Sequence, residues 1–278
     1  MVNINGELHV SEVQLSILNR SFLYGDGVFE TLKIVNNKIL FFEEHYFRLM
    51  ASMRIVRMEI PAQFTMEYLE EQLLQLPNAL NIENSARVRI TVFRNEGGFY
   101  SPKVKTVSFV IHAQSIENPF YVIQQNQYEV DLYKDFVVTR QLLSTLKTTN
   151  KIIHVTASIF AEENQLDGCL LINDDKNVVE AANGNLFLLQ DRMLLTPPIS
   201  EGCLNGIMRK QILLLAKQMD NLEVLEGVVS PFELQKADEL FITNVITGVQ
   251  PITKYRKKEY KTAFAERLIN KLNESLLS

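Results

Sequence analysis

The sequence predicts an α+β fold in two domains of nearly equal size, and three observations predict it. Short β-prone runs and amphipathic helical runs alternate irregularly, without the strict repeat of a parallel βαβ chain. The stretch from Gln114 to Pro119 places Ser, Glu, Asn and Pro in succession, a linker-like composition near mid-chain. A length of 278 residues suits one large or two medium domains. The expected division is an N-terminal domain over 1–118, a linker over 119–127 and a C-terminal domain over 128–278.

The elements follow in order. Thr31–Val35 and Lys38–Phe42 flank Asn36-Asn37, a hairpin signal. Glu44–Met58 is expected to be a helix, with Tyr46, Leu49, Met50, Met53 and Val56 at three- and four-residue spacings. A second helix is expected over Thr65–Leu76, stopped by Pro77-Asn78. Arg87–Phe93 and Lys105–His112 are expected strands. In the second half, Ile152–Glu163 is a helix with Ile152, Val155, Ile159 and Phe160 on one side. Gly168–Asn173, Val178–Glu180 and Asn185–Gln190 are short strands, and Ile207–Met219 is an amphipathic helix. Leu240–Thr243 is a buried strand followed by an irregular loop, and the last helix covers Thr262–Leu277.

Composition narrows the function. The chain is 46% hydrophobic and 22% charged, an ordinary globular balance. Its net charge of −5 argues against a general nucleic-acid or membrane-surface binder, since no excess of cations exists to neutralise phosphates. No apolar run approaches the ~20 residues that span a bilayer. Met1–Gly6 shows no basic or apolar leader pattern, so no signal peptide is expected. Two cysteines, Cys169 and Cys203, build neither a disulfide framework nor an all-Cys zinc site, so a reduced, cytoplasmic protein is expected. Four scattered histidines have no metal-ligand spacing, and no metal is expected.

Five places carry residues with chemical potential, each with an ordinary reading beside it. Lys147 lies in Ser144–Asn150, a small polar run before a helix, with no carboxylate next to it. A part-buried lysine there loses basicity by desolvation, and its amine adds to carbonyls; the ordinary reading is a solvated loop lysine. Glu180 ends a strand before Ala181–Asn185, where small residues leave room for a flat ligand. An acid facing a pyridine nitrogen would keep it protonated; otherwise Glu180 is a surface carboxylate. Glu201–Arg209 sets two glycines and Asn205 before a helix whose first N–H groups suit an anion; the plain alternative is an Asn205 N-cap. Thr243–Gly248 offers hydroxyl, amide and backbone donors for phosphate oxygens, or simply a turn. Arg48 departs from its helix's apolar face, as a solvated arginine or as a planar cation for a phosphate.

Taken together, six ordered segments resemble the fold-type IV pyridoxal-phosphate enzymes, also called class-IV aminotransferases. They are Tyr24–Glu30, Glu44–Leu49, Leu146–Asn150, Val179–Phe187, Leu204–Arg209 and Ala237–Asn244, which span nearly the whole chain. The resemblance implies the two-domain fold of that family, with the Schiff-base lysine, Lys147, on the C-terminal domain. It implies pyridoxal 5′-phosphate as cofactor and Glu180 as partner of its pyridine nitrogen. Arg48, the N–H groups of Ile207 and Met208, and the loop at Asn244 are implied as its phosphate cup. Many family members carry Thr where Met208 stands, so here only the backbone contributes at that position. The resemblance further implies a small amino substrate and a homodimer.

Within that family the sequence is most similar to 4-amino-4-deoxychorismate lyases, which release pyruvate and 4-aminobenzoate and serve folate biosynthesis. Phe29 stands where D-amino-acid aminotransferases carry a substrate-contacting Tyr. Asn244–Ile252 and Leu204–Arg209 resemble the lyase versions. The loop Arg94–Ser101 lacks the second Arg that some lyases have beyond the glycines, leaving Arg94 and Tyr100 as candidates for the substrate carboxylate. A branched-chain or D-amino-acid aminotransferase is the alternative. A binding protein without cofactor is the remaining reading, opposed by the intact Lys147 and Glu180.

Overall fold

The computed structural model describes residues 1–124 and 126–277. Gln125, within the expected linker, and Ser278, the last residue of the expected C-terminal domain, lie outside the described residues. The chain divides into two compact units, Met1–Pro119 with Leu146–Asn150, and Phe120–Thr145 with Lys151–Ser278.

Unit 1 contains β1 (Val2–Ile4), β2 (Glu7–His9), α1 (Arg20–Tyr24), β3 (Gly27–Val35), β4 (Lys38–Ile39), α2 (Phe42–Ile55), α3 (Met66–Ala79), β5 (Ser85–Arg94) and β6 (Val107–Ser115). Its sheet runs β2-β1-β6-β5-β3-β4 and is antiparallel throughout. Asn36 and Asn37, both at positive φ, close the β3–β4 hairpin, a conformation Asn tolerates well. One face of the sheet packs on α2 and α3: Val28, Leu32, Val88 and Ile90 join Met53 and Leu69 in one buried cluster. Pro77 does not stop α3 but lies buried in its last turn, with only Asn78 and Ala79 beyond it. So near the end, its missing N–H and its ring disturb little helix.

Unit 2 contains β7 (Glu129–Val138), α4 (Ile152–Glu163), β8 (Gly168–Asn173), β9 (Val178–Ala181), β10 (Asn185–Gln190), β11 (Met193–Thr196), α5 (Ile207–Lys217) and β12 (Glu223–Glu226). It continues with α6 (Pro231–Lys236), β13 (Glu239–Asn244), β14 (Gly248–Ile252), β15 (Lys254–Tyr255), β16 (Lys258–Glu259) and α7 (Ala263–Leu277). Two five-stranded sheets form, β12-β11-β10-β13-β14 and β16-β15-β7-β8-β9. They share a core in which Leu132, Leu170, Leu186, Leu240, Ile252 and Tyr255 are buried. Phe187 and Phe241 stack across β10 and β13 with centroids 5.2 Å apart.

Two readings change here. The expected irregular loop after Thr243 is a hairpin, β13–β14, whose turn is held by Asn244 Oδ1 accepting the Ile246 and Thr247 N–H groups. Gly248 follows at φ +73°, and a Cβ there would meet the Tyr121 ring at 2.7 Å. The apolar side of α4 is not its buried side. Ala157 and Ala161 face the core beside Cys169 and Leu171, whereas Ile152, Val155 and Ile159 are exposed. Among the described residues no helix is long and apolar enough to cross a membrane.

Candidate functional site

The first group of functional residues is assembled in unit 1 by main-chain pairing. Phe29 N–H donates to the Lys147 carbonyl at 2.8 Å, and Thr149 N–H donates to the Gly27 carbonyl at 2.9 Å. Thr149 Oγ1 adds a bond to the Gly25 carbonyl at 2.9 Å. The five residues Leu146–Asn150 therefore cluster with unit 1, although the sequence reading placed Lys147 on the C-terminal domain. The reason is that these five residues find hydrogen-bonding partners at the start of β3. Lys147 is half-buried, and its Nζ lies 4.6 Å from the centroid of the Phe29 ring.

On the other face of β3, Glu30 is buried and accepts two bonds from Arg48, from Nε at 2.8 Å and Nη2 at 2.6 Å. His45, also buried, meets the same carboxylate through Nδ1 at 2.7 Å. Burial alone would raise Glu30. The Arg48 charge and hydrogen bonds, with those of His45, overcome burial and hold it at about 2. Burial lowers His45, and the charges of Arg48 and Lys147 push the same way. A neutral His45 then carries its proton on Nδ1, because an ionised carboxylate only accepts. Arg48 is thus oriented by a bidentate buried partner, the strongest geometry available to a guanidinium.

The second group lies in unit 2. Glu180, on β9, is 3% exposed. Its Oε2 accepts the Leu204 N–H at 2.9 Å and its Oε1 meets His154 Nε2 at 3.2 Å. Asn185 Nδ2 donates to the Leu204 carbonyl at 2.8 Å, and Asn205 N–H to the Thr145 carbonyl at 3.2 Å. This pinned loop leads into α5, whose N-cap is Gly206 rather than Asn205. A Cβ on Gly206 would lie 1.9 Å from Asn185 Oδ1, so only glycine admits the close approach. Ile207 and Met208 open the helix, and their N–H groups have no acceptor within it. Asn244 ties the tip of the β13–β14 hairpin to the neighbouring turn, through Nδ2 to the Asn183 carbonyl at 3.2 Å.

Of the expected substrate residues, Arg94 is engaged by the fold and Tyr100 lies at the surface. Arg94 is buried and gives Nε to Asp26, Nη1 to the Arg57 carbonyl at 2.9 Å and Nη2 to the Val56 carbonyl at 2.7 Å. Its guanidinium is committed to the fold in place of a substrate carboxylate. Tyr100 is exposed, with its ring 5.8 Å from that of Tyr24.

Two residues outside the sequence reading join the groups. His154 reaches Glu180 only through the packing of α4, which no local pattern reveals. Arg89 holds its guanidinium 3.6 Å from the centroid of the Phe29 ring. The alternation Arg87-Val88-Arg89-Ile90 could have shown it, since a strand puts both arginines on the face opposite the apolar residues.

The chain belongs to the amino-transferase class IV family, whose model matches residues 27–255. It is a pyridoxal-phosphate-dependent enzyme of the aminotransferase or lyase kind. It is 28% identical to a D-alanine aminotransferase of Bacillus licheniformis over 260 residues, covering 91% of this chain and 87% of that one. Its fold is similar to that of a branched-chain aminotransferase of Thermoproteus uzoniensis, with a TM-score of 0.87 at 21% identity, over 97% of this chain and 92% of that one. It is also similar to that of a 4-amino-4-deoxychorismate lyase of Pseudomonas aeruginosa, with a TM-score of 0.84 at 24% identity and 99% of both chains covered. The chain carries donors of the kinds this cofactor needs: an amine and an arginine in unit 1, and a buried carboxylate and helix-start amides in unit 2.

Glu30 gives a direct test of the Arg48 support. Its carboxyl is held at about 2, below the ordinary 4.5. The stability it adds is therefore complete above about pH 4.5 and is lost as pH falls toward 2. Glu30→Gln should lower the stability measured by urea unfolding at pH 7 by about 3–5 kcal/mol, because Arg48 loses its buried partner. The gap between variant and wild type should narrow below pH 4.5; a gap that is small at pH 7 or constant with pH contradicts the role.

Proposed function

We propose that this enzyme is a 4-amino-4-deoxychorismate lyase. The observation that carries the reading is the aromatic wall at Lys147, where the Phe29 ring has the lysine amine 4.6 Å and the Arg89 guanidinium 3.6 Å from its centroid. An apolar ring beside an amine and a cation suits a flat cyclohexadiene bearing a carboxylate. The tyrosine of D-amino-acid aminotransferases would bring a hydroxyl to this wall, and an unmatched hydroxyl costs binding. The resemblance of Leu204–Arg209 and Asn244–Ile252 to lyase segments supports the same reading.

The residues then take these roles. Lys147 would hold the cofactor through its aldehyde, and its amine would serve as the base that takes the proton from the amine-bearing carbon of the substrate. Glu180, oriented by His154 and the Leu204 N–H, keeps the pyridine nitrogen protonated. Arg48, steered by Glu30, and the first amides of α5 hold the phosphate, with the Asn244 turn as further support. Arg89 takes a substrate carboxylate. Pyridoxal phosphate, when bound, supplies the electron sink for proton removal. Elimination requires a leaving group on the adjacent carbon and no second substrate.

An amino-acid aminotransferase is the second reading, favoured by the similarity to D-alanine aminotransferase along the chain. A homodimer is part of the proposal. α4 exposes Ile152, Val155 and Ile159 on one side, and the chain before and within α1 exposes Ile17, Leu18 and Phe22. A second copy of this chain covering these residues agrees with the family resemblance. A reducing, cytoplasmic setting fits Cys169 and Cys203, which are buried and unbridged, with burial pushing their thiols up to about 11 and about 12.

Product analysis decides the activity. Incubation of the holoenzyme with 4-amino-4-deoxychorismate should release pyruvate and 4-aminobenzoate without added keto acid. Failure there, together with rapid 2-oxoglutarate-dependent conversion of an aliphatic L- or D-amino acid, establishes the second reading instead. Sedimentation velocity at low micromolar protein should give the dimer mass, and a fully active monomer contradicts the assembly.

A further inference from the structure

Tyr121 lies in the stretch expected to be a linker, yet only 2% of it is exposed. Unit 2 holds it at three points. Asn273 of α7 grips its main chain on both sides, accepting the Tyr121 N–H at 3.0 Å through Oδ1 and donating from Nδ2 to the Tyr121 carbonyl at 2.8 Å. Its ring lies against Gly248, where a Cβ would be 2.7 Å from Tyr121 Cδ1. Its hydroxyl donates to the Val245 carbonyl at 2.8 Å. Burial pushes that hydroxyl up, so it stays protonated and remains a donor through the neutral range. A segment that only tethered two units would run over the surface and need none of these contacts.

The target of that hydroxyl is specific. The Val245 carbonyl and the Ile246 N–H belong to one planar peptide unit. Tyr121 holds its carbonyl end, and Asn244 Oδ1 holds its N–H end at 3.0 Å. The same Oδ1 accepts the Thr247 N–H at 3.0 Å, so the amides of Ile246 and Thr247 are both spent inside the turn. The Val245 N–H has no acceptor among the described residues. Strand β13 fixes the chain on one side of that amide, and the doubly held peptide unit fixes it on the other. The turn therefore offers one main-chain donor in a set direction.

We propose that Tyr121 is a positioning residue for the cofactor phosphate: by holding the Val245 carbonyl it fixes the turn that presents the Val245 N–H to a phosphate oxygen. The inference rests on the reading of the Asn244 turn as phosphate support, and it adds the residue that keeps this turn in shape. An amide already set in place loses no freedom when the anion arrives, whereas a turn free to rotate must be ordered by each binding event. Tyr121 acts through Val245 and on the phosphate alone. Its hydroxyl should therefore matter to a ligand that carries a phosphate and not to the same ring without one.

Titration of the cofactor-stripped full chain with pyridoxal phosphate and with pyridoxal, read by visible absorbance, separates this role from general packing. Tyr121→Phe keeps the ring against Gly248 and removes only the hydroxyl. It should weaken pyridoxal phosphate binding about tenfold, the scale of one buried hydrogen bond, and change pyridoxal binding by less than about twofold. An equal loss for both ligands, or no loss for either, overturns the role. Asn244→Ala tests the underlying reading beside it. A phosphate-selective loss in Asn244→Ala without one in Tyr121→Phe overturns the Tyr121 role alone. No such loss in either variant overturns the phosphate reading of the turn as well. A phosphate-selective loss in Tyr121→Phe supports the role whatever Asn244→Ala shows, since the hydroxyl acts through the Val245 carbonyl.

Discussion

Lys147 owes its position to a short stretch of main-chain hydrogen bonding between the start of β3 and residues 147–149. That pairing needs Gly27, where a Cβ would lie 2.8 Å from Ser21 Oγ and 3.0 Å from Thr149 Cγ2. Gly27 in turn follows Asp26, whose carboxylate is gripped by Arg20 at 2.8 Å and Arg94 at 3.0 Å. The part-buried Arg20–Asp26–Arg94 ion pairs thus set where β3 begins, β3 sets where Lys147 rests, and Phe29 gives the lysine its apolar neighbour. Arg94 supports the position of Lys147 through this chain of contacts.

Charge is distributed with a clear logic. Three carboxylates have defined partners: the buried Glu30 has Arg48 and His45, the buried Glu180 has His154 and the Leu204 N–H, and the part-buried Asp26 has two arginines. Glu30 stays ionised because the charge and hydrogen bonds of Arg48 and His45 outweigh the cost of desolvation. On the other face of the sheet that holds Glu30, Arg87, Arg89 and His112 form no ion pair with a carboxylate among the described residues, although the chain as a whole is acidic at −5.

Much of the architecture was legible in local pattern. The helix over Ile152–Glu163 and the strands Gly168–Asn173 and Asn185–Gln190 lie where periodicity places them. The inward side of α4 was not legible, because Ala157 and Ala161 pack while larger apolar residues stay exposed, and hydrophobicity alone assigns the reverse. Strand β14 was missed because Pro251 and the turn residues of Thr243–Gly248 suggest irregular chain. In the site, Lys147 and Glu180 stand out by the small residues around them. Arg89 and His154 do not, since their meaning comes from cross-strand register and helix packing. Arg94 misled for the same reason: its partners, Asp26 and the carbonyls of Val56 and Arg57, lie far away in sequence.

The central claim is that one lysine, Lys147, bonds the cofactor. Reduction of the pyridoxal-phosphate-loaded protein with borohydride, followed by proteolysis and mass spectrometry, reads this directly. The account predicts a single phosphopyridoxyl adduct on the peptide that contains Lys147, lost together with the visible absorbance band in Lys147→Ala. An adduct on a different lysine, or a Lys147→Ala protein that still traps the cofactor and keeps full activity, would contradict it.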